Sequence, residues 1–250
     1  MKSAADGSFS RRTILFSAFR YSFPVLLGYL AIGVAFGLLL SGIGYPWWLA
    51  LLMSLWMYAG AGQFIAAGLF AAGTTLWQAC VIQLIVNARH IAYGLSMLNR
   101  FKDQGRYKPY QIFSLTDETF ALLSSLPENS SGDACDGGFA GFPSGREERR
   151  LFMFYVAVLD QLYWVTGSVI GAVAGTILPF DMKGIGFALT ALFIVLLTEQ
   201  IQKVRKPQVF VVSGIAALLG VFLLPSGISL LAALALALLL SSVVQRKEKA

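Results

Sequence analysis

Charge is what this sequence has least of. Only 13% of its 250 residues are Asp, Glu, Lys or Arg, against 57% apolar residues and a mean hydropathy of +0.70. A soluble domain carries about 25% charged residues, so this chain has too little polar surface to dissolve in water. Cysteine is nearly absent: Cys80 lies in an apolar stretch and Cys135 in a polar one, which excludes both a disulfide framework and a paired-cysteine metal motif. The single histidine, His90, excludes a multi-histidine metal site. There is no phosphate loop, dinucleotide fingerprint or nucleophile elbow, so neither ATP hydrolysis nor a cofactor is expected. The formal charge of +6 is not arranged as a basic stripe interleaved with aromatics, and no nucleic-acid partner is expected.

What remains is apolar sequence on the scale of the bilayer. Between Tyr21 and Leu98 the only formally charged side chain is Arg89, and between Pro207 and Val244 there is none. Seven apolar segments stand out: Phe23 to Leu40, Trp47 to Phe70, Leu76 to Leu98, Leu151 to Leu178, Ile185 to Ile201, Val209 to Leu224 and Ile228 to Val244. Each is near the length of about 20 residues that crosses a bilayer as a helix. An eighth, Gln111 to Leu126, is shorter and carries Thr116, Asp117 and Glu118; it is a poor span, a re-entrant piece or an interfacial helix. The expected fold is all-α: a polytopic membrane helix bundle of seven to eight segments. Residues 1–22 form a cytoplasmic N-terminal segment, 23–244 a single transmembrane domain with a flexible loop at 127–150, and 245–250 a cytoplasmic tail.

The excess of Lys and Arg on cytoplasmic loops puts both termini inside, together with Lys203, Arg205 and Lys206. Arg100, Lys102, Arg106 and Lys108 join them only if the second segment is broken and the eighth does not cross. The run Tyr58-Ala-Gly-Ala-Gly-Gln63 offers that break, since it sets two glycines and an amide mid-segment; a continuous helix with small packing residues is the alternative. A weak internal repeat is also visible. Gly33-x-x-x-Gly37 precedes Gln63 by 26 residues from the second glycine, and Gly171-x-x-x-Gly175 precedes Gln200 by 25. Duplicated halves and discontinuous helices are common in carriers. Gly33, Gly37, Gly167, Gly171 and Gly175 are read first as packing ridges, and Tyr45, Trp47, Trp48 and Trp77 as interfacial anchors.

Polar groups inside the apolar segments are expensive, about 2.5–3.5 kcal/mol for a charge at a helix centre, and so each needs a reason. Asn87, Arg89 and His90 form one cluster in the third segment, where Gln83, Asn87 and His90 share a stripe of a continuous helix. Arg89 is either a cation for a carboxylate cargo or the partner of a fixed carboxylate such as Asp117; His90 is a candidate proton carrier or an interior donor. Thr116, Asp117 and Glu118 form the second cluster, two carboxylates and a hydroxyl able to hold an ammonium group or exchange protons. The spacing of Ser114 and Asp117 also fits a capping box that simply starts a helix. Asp160 and Gln161 lie early in the fourth apolar segment and Glu199 with Gln200 close the fifth; either carboxylate could line a pathway, though Glu199 also fits an ordinary i, i+4 pair with Lys203, and the structural reading is preferred there. Few grouped ionisable residues and many small ones suit a carrier better than an enzyme.

Four motifs in order, Tyr58-Ala-Gly-Ala-Gly-Gln-Phe64, Asn87-x-Arg-His-x-x-Tyr-Gly94, Leu115-Thr-Asp-Glu-x-Phe120 and Gly186-Phe-Ala-Leu-Thr-Ala-Leu-Phe193, resemble the AzlC-type branched-chain amino-acid permeases, the large subunits of LIV-E exporters. One departure is Gly62, where serine is frequent in that family; this chain has no hydroxyl there. The resemblance implies a multi-pass secondary carrier of the bacterial cytoplasmic membrane that exports valine, leucine, isoleucine or methionine. It also implies an AzlD-type small hydrophobic subunit as partner. A pathway lined by Tyr58, Gln63, Asn87, Arg89, Asp117 and Glu118 is the corresponding expectation. A scaffold subunit whose partner forms the pathway is the alternative.

Overall fold

The computed structural model describes residues 10–126, 143, 145–177, 194, 198, 201 and 207–223. The predicted spans over 185–201 and 228–244, the Gly186 to Phe193 motif, and Glu199 and Gln200 lie outside the described residues apart from those three positions. All regular structure among the described residues is helical. By contacts the chain divides into two units, residues 1–67 with 85–180, and residues 68–84 with 181–250.

The first unit is built on two long helices, α1 (Arg11–Gly42) and α8 (Arg146–Ile177), each of 32 residues and each long and apolar enough to cross a membrane. At 1.5 Å per residue they extend about 48 Å, well past the hydrocarbon. Helix α1 therefore starts twelve residues before Phe23, where the apolar run was expected to begin as a span, because nothing between Arg11 and Ser22 breaks a helix. Helix α8 likewise starts inside the stretch read as loop 127–150. The run Arg146-Glu-Glu-Arg-Arg150 consists of strong helix formers, and Glu147 and Glu148 sit in the first turn where the helix dipole favours them.

These two helices cross at backbone contact distance. A Cβ on Gly37 would lie 2.1 Å from the carbonyl oxygen of Ser168, and one on Gly171 would lie 2.1 Å from that of Val34. Only hydrogen fits at either position, so the two glycine ridges pack against each other as the spacing suggested.

Three of the apolar segments are interrupted. The second is split into α2 (Trp47–Trp56) and α3 (Gly60–Ala71), as the glycines predicted. Tyr58 holds the joint at φ +29°, a left-handed value unfavourable for a residue with a Cβ. The third segment, expected to be continuous, becomes α4 (Leu76–Asn87) and α5 (Arg89–Ser96) with a turn at Ala88. Ala88 and Ile91 there bond three residues back instead of four, so the stripe drawn through Gln83, Asn87 and His90 is offset. The eighth segment is two short helices, α6 (Lys108–Phe113) and α7 (Asp117–Ser124), each too short to cross alone. Its start also differs from expectation: the N-cap of α7 is Thr116, whose Oγ1 accepts from the Thr119 N–H, and Ser114 instead closes α6. Asp117 and Glu118 thereby occupy the first turn of α7.

Beneath this joint lies an apolar cluster that includes Ile14, Met97, Phe101, Leu115, Leu123 and Phe152. Arg100 crosses over it to donate to the carbonyls of Leu126 and Ser124, at 2.6 and 3.3 Å, and so covers the C-terminal end of α7. In the second unit, Thr75 and Gln78 form a capping box that starts α4, and Pro207–Leu223 form a further apolar helix, α9.

Candidate functional site

The three interruptions free backbone groups and bring polar side chains into the body of the first unit. At the end of α2 the carbonyls of Ser54 and Leu55 lose their helical partners. The side-chain amide of Gln161, on α8, donates to both at 3.4 and 3.1 Å. Its Oε1 in turn accepts from the Tyr110 hydroxyl at 2.6 Å. On the far side of the break, Gln63 is fully buried in the first turn of α3. Its Oε1 accepts from the indole Nε1 of Trp164 at 2.6 Å, and its Nε2 donates to the Ser54 hydroxyl at 3.3 Å. Both half-helices are therefore fastened to α8 through hydrogen bonds. Without such partners the broken backbone would be intolerable in hydrocarbon.

Between these fastenings sits a cluster of hydroxyls and carboxylates. Asp160 is 0% exposed, and its Oδ2 accepts from the Thr119 hydroxyl at 2.8 Å. Thr119 receives a 3.1 Å bond from Thr116, whose hydroxyl lies 2.6 Å from that of Tyr29. Tyr29 Oη lies 2.7 Å from Glu118 Oε2, and Glu118 is exposed. The buried Tyr58 hydroxyl stands beside the hydroxyls of Tyr29 and Thr119 and within electrostatic reach of Asp160. Two polar atoms here have no bonded partner: Tyr58 Oη and Asp160 Oδ1. A buried unsatisfied group costs about 1–3 kcal/mol, so both atoms are costly where they stand.

Arg89 and Asp117 form the neighbouring element. Arg89 Nη1 meets Asp117 Oδ2 at 2.5 Å, which is the fixed-carboxylate arrangement of the two open for Arg89. Arg89 reaches Asp117 through Nη1 alone, leaving Arg89 Nε without a bonded partner, and the Tyr93 hydroxyl lies beside the same carboxylate. His90 turns back to the carbonyl of Asn87 at 3.1 Å and stands edge-on to Tyr93.

Of the candidates read from sequence, Tyr58 and Glu118 come together around Asp160, Gln63 joins them through Trp164 and Ser54, and Arg89 with Asp117 stands beside Glu118 along α7. Asn87 ends α4 just before the turn at Ala88, and His90 follows Arg89 in the first turn of α5. Thr116 is the hydroxyl read from sequence beside Asp117 and Glu118, whereas Tyr29, Thr119 and Trp164 carry no motif that singles them out as site residues. Their only signal was position: a phenol and an indole deep inside apolar runs, away from the segment ends where aromatic anchors belong. Beside the polar group, Phe36, Phe64 and Trp164 form an aromatic wall, with Phe36 and Phe64 edge-to-face at 5.5 Å and Phe36 stacked on Trp164 at 6.3 Å.

Apolar side chains such as Phe16, Leu27, Trp56, Leu84 and Ile170 are exposed, while carboxylate, amide and hydroxyl groups are gathered inside. This is the organisation of a helical membrane protein. The chain belongs to the AzlC family: the family model described as AzlC protein matches residues 24–178. It is similar to an uncharacterized membrane protein of Helicobacter pylori, 40% identical over 186 residues that cover 74% of this chain and 75% of that one. It is also similar to the branched-chain amino acid transport protein AzlC of Bacillus subtilis, 35% identical over 192 residues covering 76% and 69%. A third relative, the inner membrane protein YgaZ of Escherichia coli, is 31% identical over 219 residues covering 84% and 82%. No solved structure matches the chain.

Proposed function

We propose that this chain is a secondary carrier, not an enzyme, that exports valine, leucine, isoleucine and methionine across the bacterial cytoplasmic membrane. On this reading it is multi-pass, with seven to eight apolar segments and both termini cytoplasmic, and it works with an AzlD-type small hydrophobic subunit under the proton or potential gradient. The name of the Bacillus subtilis relative supports the substrate class.

The observation that carries the reading is the pair of unbonded atoms, Asp160 Oδ1 and Tyr58 Oη, at the joint of a broken helix. An amino acid needs an anion for its ammonium group, a cation or helix N-terminus for its carboxylate, and an apolar recess for its side chain. Asp160 with Tyr58 meets the first need. The N-terminus of α3, or the unused Nε of Arg89, meets the second, and the wall of Phe36, Phe64 and Trp164 meets the third. Gln63, Asn87, Asp117 and Glu118 complete the pathway. Cells loaded with a valine-containing dipeptide are the test. A strain lacking this chain and any redundant exporter is expected to retain valine that the complemented strain expels; equal efflux from both would defeat the proposal.

A further inference from the structure

Five oxygens link the exposed edge of the first unit to its interior in an unbroken file. Glu118 Oε2 meets the Tyr29 hydroxyl at 2.7 Å, Tyr29 meets Thr116 at 2.6 Å, Thr116 meets Thr119 at 3.1 Å, and Thr119 meets Asp160 Oδ2 at 2.8 Å. Glu118 is exposed at one end and Asp160 is fully buried at the other. Four oxygen–oxygen links each need one hydrogen. Three hydroxyls supply three, and the fourth has to come from a carboxyl group. If both carboxylates were ionised, one link would set two oxygen lone pairs against each other at hydrogen-bond distance.

The count leaves two complete arrangements. In one, Glu118 carries the proton and donates to Tyr29, Tyr29 to Thr116, Thr116 to Thr119, and Thr119 to the Asp160 carboxylate. In the other every hydroxyl points the opposite way: Asp160 carries the proton and donates to Thr119, and Tyr29 donates to the Glu118 carboxylate. Thr116 is saturated in both, because the Thr119 N–H occupies one of its lone pairs throughout. The two states interconvert by a concerted shift. The Glu118 O–H breaks as a proton reaches the Tyr29 oxygen, each hydroxyl passes its own proton onward, and an O–H forms on Asp160. No hydroxyl is left charged, and one proton has moved.

The groups facing this file do not neutralise its ends. Tyr58, Tyr110 and Tyr163 lie near Asp160, and His90 and Tyr93 lie near Glu118. Arg89 is engaged with Asp117, and among the described residues neither Glu118 nor Asp160 is in an ion pair. Two like charges joined by polarised hydroxyls favour holding one proton between them.

We propose that Glu118 and Asp160 share a single proton through Tyr29, Thr116 and Thr119, and that delivery of this proton to Asp160, beside the joint at Tyr58, is the ion movement exchanged for cargo. This rests on the carrier reading above and names its coupling site. When Asp160 is neutral, its hold on an ammonium group weakens, so proton arrival releases cargo and proton departure restores the site.

The test uses the chain together with its small partner subunit in liposomes holding a pH-sensitive dye. Wild type is expected to exchange labelled for unlabelled leucine and, under a leucine gradient, to move protons in the opposite direction. Thr119→Val removes one link and is expected to slow proton movement at least about tenfold, while Thr119→Ser, which keeps the hydroxyl, restores it. Infrared titration of the same complex without leucine is expected to reveal one protonated carboxyl per chain that is lost in Asp160→Asn. Proton movement unchanged in Thr119→Val, or an infrared signal unaffected by Asp160→Asn, overturns the relay. Leucine exchange by wild type with no accompanying proton movement overturns it while leaving the carrier reading intact; absence of exchange by wild type overturns both.

Discussion

Trp164 Nε1 donates to Gln63 Oε1 at 2.6 Å, tying the middle of α8 to the first turn of the half-helix α3. Both residues are buried, at 3% and 0% exposure, so neither end of this bond has water to fall back on. The joint at Tyr58 is therefore held from α8 on both sides, by Trp164 beyond it and by Gln161 before it.

Trp164→Phe keeps the ring and loses the donor. Hydrogen bonds between membrane helices contribute about 0.6 kcal/mol on average and up to about 1.7. A double-mutant cycle of Trp164→Phe with Gln63→Leu, followed by unfolding in detergent, is expected to return a coupling in that range. Strict additivity would mean that the bond does not hold the half-helix.

The glycine crossing makes a sharper demand. Gly37→Ala or Gly171→Ala drives a methyl group into opposing backbone at 2.1 Å, where no side chain can swing aside. Overpacking of this kind costs about 1–3 kcal/mol. Both variants are expected to melt at lower temperature than wild type, whereas Gly94→Ala, with open space around it, is not destabilised. Equal melting of all three would contradict the close crossing.

Tyr58→Phe separates stability from function. The hydroxyl is buried without a bonded partner, so its removal is expected to leave the melting temperature unchanged or higher. Leucine transport is expected to fall, because the group that receives the cargo has been deleted. A variant that loses stability and keeps transport would assign the hydroxyl a purely structural role.

The Arg89–Asp117 pair has side chains 32% and 36% exposed, which places it with the weaker ion pairs, worth about 0–1 kcal/mol. Arg89→Ala is thus expected to change thermal stability little while reducing transport strongly. The exchanged pair Arg89→Asp with Asp117→Arg is expected to stay close to wild type in stability without recovering transport. Full recovery of transport by the exchange would make the pair structural alone.

Some of this was legible in the sequence and some was not, for physical reasons. The joint at Tyr58 could be read because two glycines and an amide mid-segment leave a helix little reason to continue. Arg89 could be paired with Asp117 because charges are so few that each has few possible partners. The cap of α7 was misplaced because Ser114 and Thr116 are both competent hydroxyls; the choice falls to Thr116, which also engages Tyr29 and Thr119. Tyr29 and Trp164 escaped notice as site residues because an aromatic ring in an apolar run looks like core. What gives them a role is a partner 87 residues away for Tyr29 and 101 for Trp164. Asp160 was visible as a carboxylate, but its burial comes from packing that no local pattern encodes.

The central claim is that the route for cargo runs through this chain and not through its small partner. Exchange of labelled leucine should be measured in liposomes holding this chain alone, the partner alone, or both, each with wild-type Tyr58 and with Tyr58→Phe. Exchange is expected only when this chain is present, and is expected to fall with Tyr58→Phe. Exchange by the partner alone, or exchange by the complex at an undiminished rate with Tyr58→Phe and Arg89→Ala combined, would contradict the account.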